Sequence, residues 1–182
     1  MLYSKLLIIG DSLSNLSRDT SNWALELCKI ALKESYVILP IVYAFSGYTS
    51  FQLLKETPPI LERHRGDIKE LVIQFGTNDA KDEIQTNVCD FKDNLNLIKA
   101  WAFGYRLYFL TIPIPKGFGT DGYTSAIKHR INQYNELIRE VFGDRCIDIN
   151  TQKFVDGIHY SREGNIEVAR AVWEKIKNER SF

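Results

Sequence analysis

Four short clusters carry the side chains able to do chemistry. They are Gly10-Asp11-Ser12, Ser46-Gly47, Gly76-Thr77-Asn78-Asp79 and Asp156-Gly157-Ile158-His159. A serine hydroxyl such as that of Ser12 is a weak nucleophile until a base removes its proton. His159 is the candidate base, because an imidazole commonly does this work. Asp156 lies three residues before it, near enough in a turn to fix the ring tautomer and stabilise the imidazolium. Acyl transfer also needs hydrogen-bond donors at the developing oxyanion, each worth about 3–4 kcal/mol. The Ser12 N–H, the Gly47 N–H and the Asn78 amide can supply three. A glycine helps because the backbone can approach a substrate with no Cβ in the way. Asp11, Gly76 and Asp79 are supporting residues, with Asp11 shaping the turn that presents Ser12.

Each residue taken singly has a plainer reading. Asp11 or Ser12 can cap the helix that follows. Gly47 can simply serve a turn. Asn78 and Asp79 can form an Asx turn or cap the next helix, Asp156 can do the same before the last helix, and His159 can be a surface loop residue. What favours the chemical reading is the conjunction of four such clusters in a workable order. His64 and His129 sit among charged neighbours and read as solvated.

The elements between the clusters must bring them together. Leu6-Leu7-Ile8-Ile9 runs straight into Gly10, so residues 2–9 read as a buried strand ending in a tight turn. Helical spacing of Trp23, Leu27, Ile30 and Ala31 predicts a helix over 23–32, with Ser21 or Asn22 as its cap. Residues 36–45 read as a second strand, placed at a sheet edge or bulged by Pro40. A helix begins at Phe51 and breaks near Pro58-Pro59, restarting through Ile60 and Leu61. Residues 70–75 form a third strand. Phe91, Leu95, Ile98 and Ala102 mark the next helix, and residues 106–112 a fourth strand stopped by Pro113 and Pro115. The loop 116–123 holds three glycines and reads as mobile. A long helix carries Ile127 to Val141 and stops at Gly143. A short strand over 146–149 and a helix over 164–176 complete the chain. Alternation of five strands with about five helices demands parallel strands, right-handed crossovers and helices on both faces. The first three clusters each follow a strand directly, and so share the carboxyl rim of the sheet, where such folds bind ligands. The fourth follows the last strand after a short loop.

At 182 residues the chain suits one domain, 1–182, with a single core. Lys+Arg and Asp+Glu both number 23. This balance gives no electrostatic case for a nucleic-acid partner or an anionic membrane surface. No stretch approaches the length of a membrane span, and the apolar run after Lys5 is too short for a secretory signal. A soluble, cytoplasmic protein is expected. Cys28, Cys89 and Cys146 are odd in number and widely spaced, and read as buried reduced thiols, not metal ligands.

Gly10-Asp11-Ser12-Leu13 resembles the block that names the SGNH/GDSL hydrolase superfamily. Ser46-Gly47 resembles its second block, Gly76-Thr77-Asn78-Asp79 its third and Asp156-Gly157-Ile158-His159 its fifth. Together, and in this order, the four span Gly10 to His159. The resemblance implies a flavodoxin-like three-layer α/β/α sandwich around five parallel strands. It implies Ser12 as nucleophile, His159 as base with Asp156 orienting it, and Gly47 and Asn78 as oxyanion donors beside the Ser12 N–H. The activity implied is cleavage of a carboxylic ester, a small molecule, with no metal or organic cofactor.

Two other readings stand beside it. The same site could pass the acyl group to an alcohol other than water. Alternatively, a non-catalytic flavodoxin-like module could bind phosphate or a nucleotide at its glycine turns, although the first turn lacks Gly-x-Gly-x-x-Gly. The Gly-x-Ser-x-Gly signature of α/β-hydrolases is absent around Ser12. Tyr48, Phe51, Phe118, Tyr123, Phe154 and Tyr160 fall in rim loops, where rings suit an acyl chain or a sugar face. A short chain leaves little room for a large lid, which favours short acyl groups or acetylated carbohydrate. Trp101 and Phe103 suit a core or an interface alike, so the oligomeric state is not readable.

Overall fold

A computed structural model describes residues 2–16, 21–116 and 125–180. Its strands are β1 (Leu2–Gly10), β2 (Tyr36–Ala44), β3 (Glu70–Gln74), β4 (Arg106–Leu110) and β5 (Cys146–Ile147). Its helices are α1 (Trp23–Lys33), α2 (Ser50–His64), α3 (Val88–Trp101), α4 (Ser125–Phe142) and α5 (Arg162–Asn178). The strands form one parallel sheet in the order β2-β1-β3-β4-β5. The order reverses between β1 and β3, which opens a crevice at the carboxyl end of β1.

Strand periodicity explains the three layers. Successive side chains point to opposite faces, and over residues 6–9 of β1 both sets are apolar and fully buried. Leu6 and Ile8 pack with Trp23 and Leu27 of α1 and Val172 and Trp173 of α5. Leu7 and Ile9 pack with Leu53 of α2, Phe91 of α3 and Ile131 of α4. A parallel strand covered on both faces is continuously hydrophobic for this reason. β2 is an edge strand, and Pro40 sits there without interrupting its pairing with β1. Asn22 caps α1, its side chain accepting from the Ala24 N–H. Gly143 ends α4 with φ +52° and opens a short 3₁₀ turn.

Several expectations need correcting. α2 does not break at Pro58-Pro59 but runs unbroken from Ser50 to His64. Two interior prolines cost hydrogen bonds and local strain of about 3 kcal/mol each. The helix persists because Leu53, Thr57, Ile60 and Leu61 are all held in the core. β5 has two residues, not four. His64 is not simply solvated: it is half-buried, with its Nε2 3.0 Å from the Tyr43 hydroxyl, whereas His129 is exposed. Cys89 is exposed in the first turn of α3, away from the face that buries Phe91 and Leu95, while Cys28 and Cys146 are half-buried. The glycine-rich stretch, with Phe118 and Tyr123, lies outside the described residues apart from Lys116.

Candidate active site

Ser12 opens a single 3₁₀ turn, Ser12–Ser14, directly after β1. Asp11 caps this turn by accepting the Leu13 N–H at Oδ1, 2.9 Å away. The Asp11 N–H donates to the Gln74 carbonyl at 3.2 Å, which seats the turn on the end of β3. Ser12 is thus raised at the point where the strand order reverses. Asp11 itself is fully buried. Burial pushes its carboxyl up to about 7, the Leu13 N–H opposes this, and the charge of Asp79 adds to the rise.

Side-chain bonds sew the second and third turns to the first. The Asn15 amide donates to Ser46 Oγ at 2.9 Å. The Asn78 amide donates to the Tyr48 carbonyl at 2.9 Å. Gly47 lies between these two contacts with φ +83°, a conformation that favours glycine. Gly76 also has a positive φ, +117°, and a Cβ there would collide with the Ile112 side chain. Asp79 does cap a helix, but an earlier one. Its carboxylate accepts the Ser50 N–H at 2.9 Å and the Ser50 hydroxyl at 2.5 Å, at the start of α2, and the Thr86 hydroxyl at 2.9 Å. Burial raises its pKa, while the Ser50 and Thr86 bonds oppose the rise. Asp79 therefore ties the loop after β3 to the helix after the Gly47 turn. Asn15 and Ser50, which make these ties, were not singled out by sequence, because their partners are 31 and 29 residues away.

The fourth cluster is a tight loop closed by a Phe154–Tyr160 bridge. The His159 and Ile158 N–H groups both donate to Asp156 Oδ1, at 2.7 and 3.1 Å. Asp156 Oδ2 lies 2.6 Å from His159 Nδ1. His159 Nε2 lies 3.0 Å from Ser12 Oγ. An ionised carboxylate only accepts, so Nδ1 carries the hydrogen and Nε2 turns a lone pair to the Ser12 hydroxyl. Partial burial alone would raise the Asp156 pKa. The bonds from the His159 N–H, its ring and the Ile158 N–H outweigh this and hold the carboxyl down at about 2. The histidine side chain is 18% exposed and the aspartate 51%, so the ring is sheltered while its partner faces solvent.

A pocket of about 330 Å³ opens beside Ser12 and His159. Asn15, Ser21, Asn22 and Asn165 contribute to its wall, with Leu13 and Val155. Of the rim aromatics, Tyr160 is 4% exposed and stacked on Phe154, and Tyr48 stacks on Phe45. Phe51 stands exposed beneath Lys55. Among the described residues, no three His, Cys, Asp or Glu side chains are grouped to hold a metal ion, and no helix is long and apolar enough to cross a membrane.

The chain resembles known proteins both in its sequence profile and in its fold. The profile of the GDSL-like Lipase/Acylhydrolase family matches residues 8–165. No curated protein matches the chain in sequence. Among solved structures, a carbohydrate acetylesterase from Sinorhizobium meliloti superposes with a TM-score of 0.78 at 18% identity, covering 97% of this chain and 99% of that one. A lipase/acylhydrolase from Enterococcus faecalis superposes with a TM-score of 0.74 at 19% identity, covering 97% and 96%. The structure of TesA superposes with a TM-score of 0.74 at 25% identity, covering 96% and 99%. The chain belongs to the GDSL-like lipase/acylhydrolase family and is a carboxylic ester hydrolase of that type.

Proposed function

We propose that this single domain, residues 1–182, removes a short acyl group, an O-acetyl group above all, from an alcohol such as a carbohydrate. The observation that carries the proposal is the continuous relay from Asp156 through His159 to Ser12, with contacts of 2.6 and 3.0 Å. Ser12 Oγ attacks the acyl carbon while His159 Nε2 takes its proton. Asp156 stabilises the imidazolium so formed. The Ser12 N–H, the Gly47 N–H and the Asn78 amide receive the oxyanion. One Asn78 amide hydrogen is committed to the Tyr48 carbonyl, which leaves the second as the one offered to the oxyanion. His159 then protonates the departing alcohol and activates a water to free the acyl group.

Three observations support a small acyl group on a polar alcohol. The pocket at Ser12, about 330 Å³, is at the low end for ligand sites. Its wall carries amide and hydroxyl side chains suited to a polyol. The fold is similar to that of a carbohydrate acetylesterase. The test is turnover of acetyl, butyryl, octanoyl and acetyl-sugar esters by the wild type and by Ser12→Ala. Acetyl esters should be cleaved best, and the variant should lose turnover by a factor of about 10⁴ or more. Undiminished turnover by Ser12→Ala would refute the nucleophile. Preference for octanoyl would refute the small acyl group. An acylated polyol as main product would make the enzyme an acyltransferase.

A further inference from the structure

Ser12 and His159 are 147 residues apart, on separate loops, yet their reacting atoms must stay within hydrogen-bond reach. The Asp156 bonds are internal to the His159 loop. They orient the ring within that loop but do not fix the loop against Ser12. Something else has to span the two.

Gln74 does so. It is the last residue of β3, lies beside Gly10 in the sheet and is 1% exposed. Its amide nitrogen donates to the Tyr160 hydroxyl at 2.8 Å. Its amide oxygen accepts from Ser14 Oγ at 3.2 Å. Ser14 shares the 3₁₀ turn of Ser12, and Tyr160 directly follows His159. One amide therefore grips the turn that presents the nucleophile with one end and the loop that presents the base with the other. The Trp23 indole N–H reaches the same Ser14 hydroxyl at 3.4 Å, which adds α1 to the brace. The Gln74 carbonyl accepts the Asp11 N–H as well, so its backbone and side chain hold the same turn. All four side chains are buried, and a buried amide with both ends engaged has one orientation.

We infer that Gln74 and Tyr160 are positioning residues that set the separation of Ser12 Oγ from His159 Nε2. The inference rests on the proposed roles of Ser12 and His159. Neither Gln74 nor Tyr160 touches the reacting atoms. Tyr160→Phe removes the hydroxyl end of the brace and keeps the ring stacked on Phe154. Gln74→Met removes both ends at similar volume.

Steady-state kinetics and a pH–rate profile on an acetyl ester test this, with the rate of Ser12 labelling by a fluorophosphonate. A slack brace misplaces the base by a fraction of an ångström, so kcat and the labelling rate should each fall about tenfold in Tyr160→Phe. KM should stay within about twofold, because the hydroxyl that is removed is engaged with Gln74 and the ring that lines the pocket is kept. The midpoint of the pH profile should not move, because the Asp156–His159 contact is internal to the loop. The double variant should be no slower than Gln74→Met alone, because both changes cut one connection. Wild-type kcat and labelling in Tyr160→Phe would overturn the inference. So would a fall accompanied by a moved midpoint, which would mean that the loop itself had come apart. In both cases inactive Ser12→Ala leaves the hydrolytic reading standing. A wild type that neither cleaves the ester nor reacts with the probe overturns that reading, and the inference with it.

Discussion

Asp11 makes folding stability depend on pH in a way that can be worked out from its surroundings. The residue is fully buried, and of its two oxygens Oδ2 has no hydrogen-bond partner among the described residues. Its pKa of about 7 in the folded chain lies far above the ordinary value of 3.8. Between those values the folded protein keeps a proton that the unfolded chain has released. Stability is therefore highest below the unfolded value, falls as pH rises towards the folded value, and is flat above it. At about 1.4 kcal/mol per pH unit over about three units, the total loss is about 4 kcal/mol. Between pH 5 and pH 8 the same linkage gives a loss of about 2.5 kcal/mol. Asp11→Asn keeps an oxygen for the Leu13 N–H and cannot ionise. Urea unfolding of both proteins at pH 5 and pH 8, followed by tryptophan fluorescence, isolates the effect. The wild type should lose about 2.5 kcal/mol more than the variant over that interval. Other titrating groups are common to both proteins and cancel, apart from Asp79, whose charge is felt by Asp11; the fixed cost of an unpaired buried amide cancels as well. Stability changes that agree within about 0.5 kcal/mol would refute the reasoning, and would mean that Asp11 is ionised in the folded chain at neutral pH.

Three further outcomes are expected. Asn78→Ala should lower kcat on an acetyl ester by a factor of about 10²–10³ through loss of an oxyanion donor. Its urea midpoint should shift modestly, because the bond to the Tyr48 carbonyl is worth about 1 kcal/mol. Asp156→Asn should lower kcat/KM by a factor of about 10²–10⁴ by releasing the ring tautomer, with thermal unfolding near that of wild type because the side chain is half exposed. Gly76→Ala should cost about 2 kcal/mol or more in urea unfolding, since φ is +117° and Ile112 fills the space a methyl needs.

The layer architecture was legible because its signals are local. Apolar runs that end in small-residue turns located the strands to within a few residues, and Pro40 located an edge. The expected break in α2 failed because proline propensity is local while the packing of Leu53, Ile60 and Leu61 is not. The reading of His64 failed similarly. Its charged neighbours face solvent, but the ring turns back to Tyr43 on the adjacent strand. Ser12, Gly47, Asn78, Asp156 and His159 stood out because each sits in a turn of small residues that punctuates the sequence. Gln74 did not, because it is the last polar residue of a buried strand and its role appears only once Tyr160, 86 residues away, is folded against it.

Asp156 and His159 are bound to one another through both backbone and ring inside a seven-residue loop closed at Phe154 and Tyr160. The pair is thus a cassette, able to change its distance from Ser12 without changing its own internal geometry. Loop exchange between relatives would transfer the pair whole, with its proton chemistry set. What the new host would have to supply is the docking of that cassette against its own first turn.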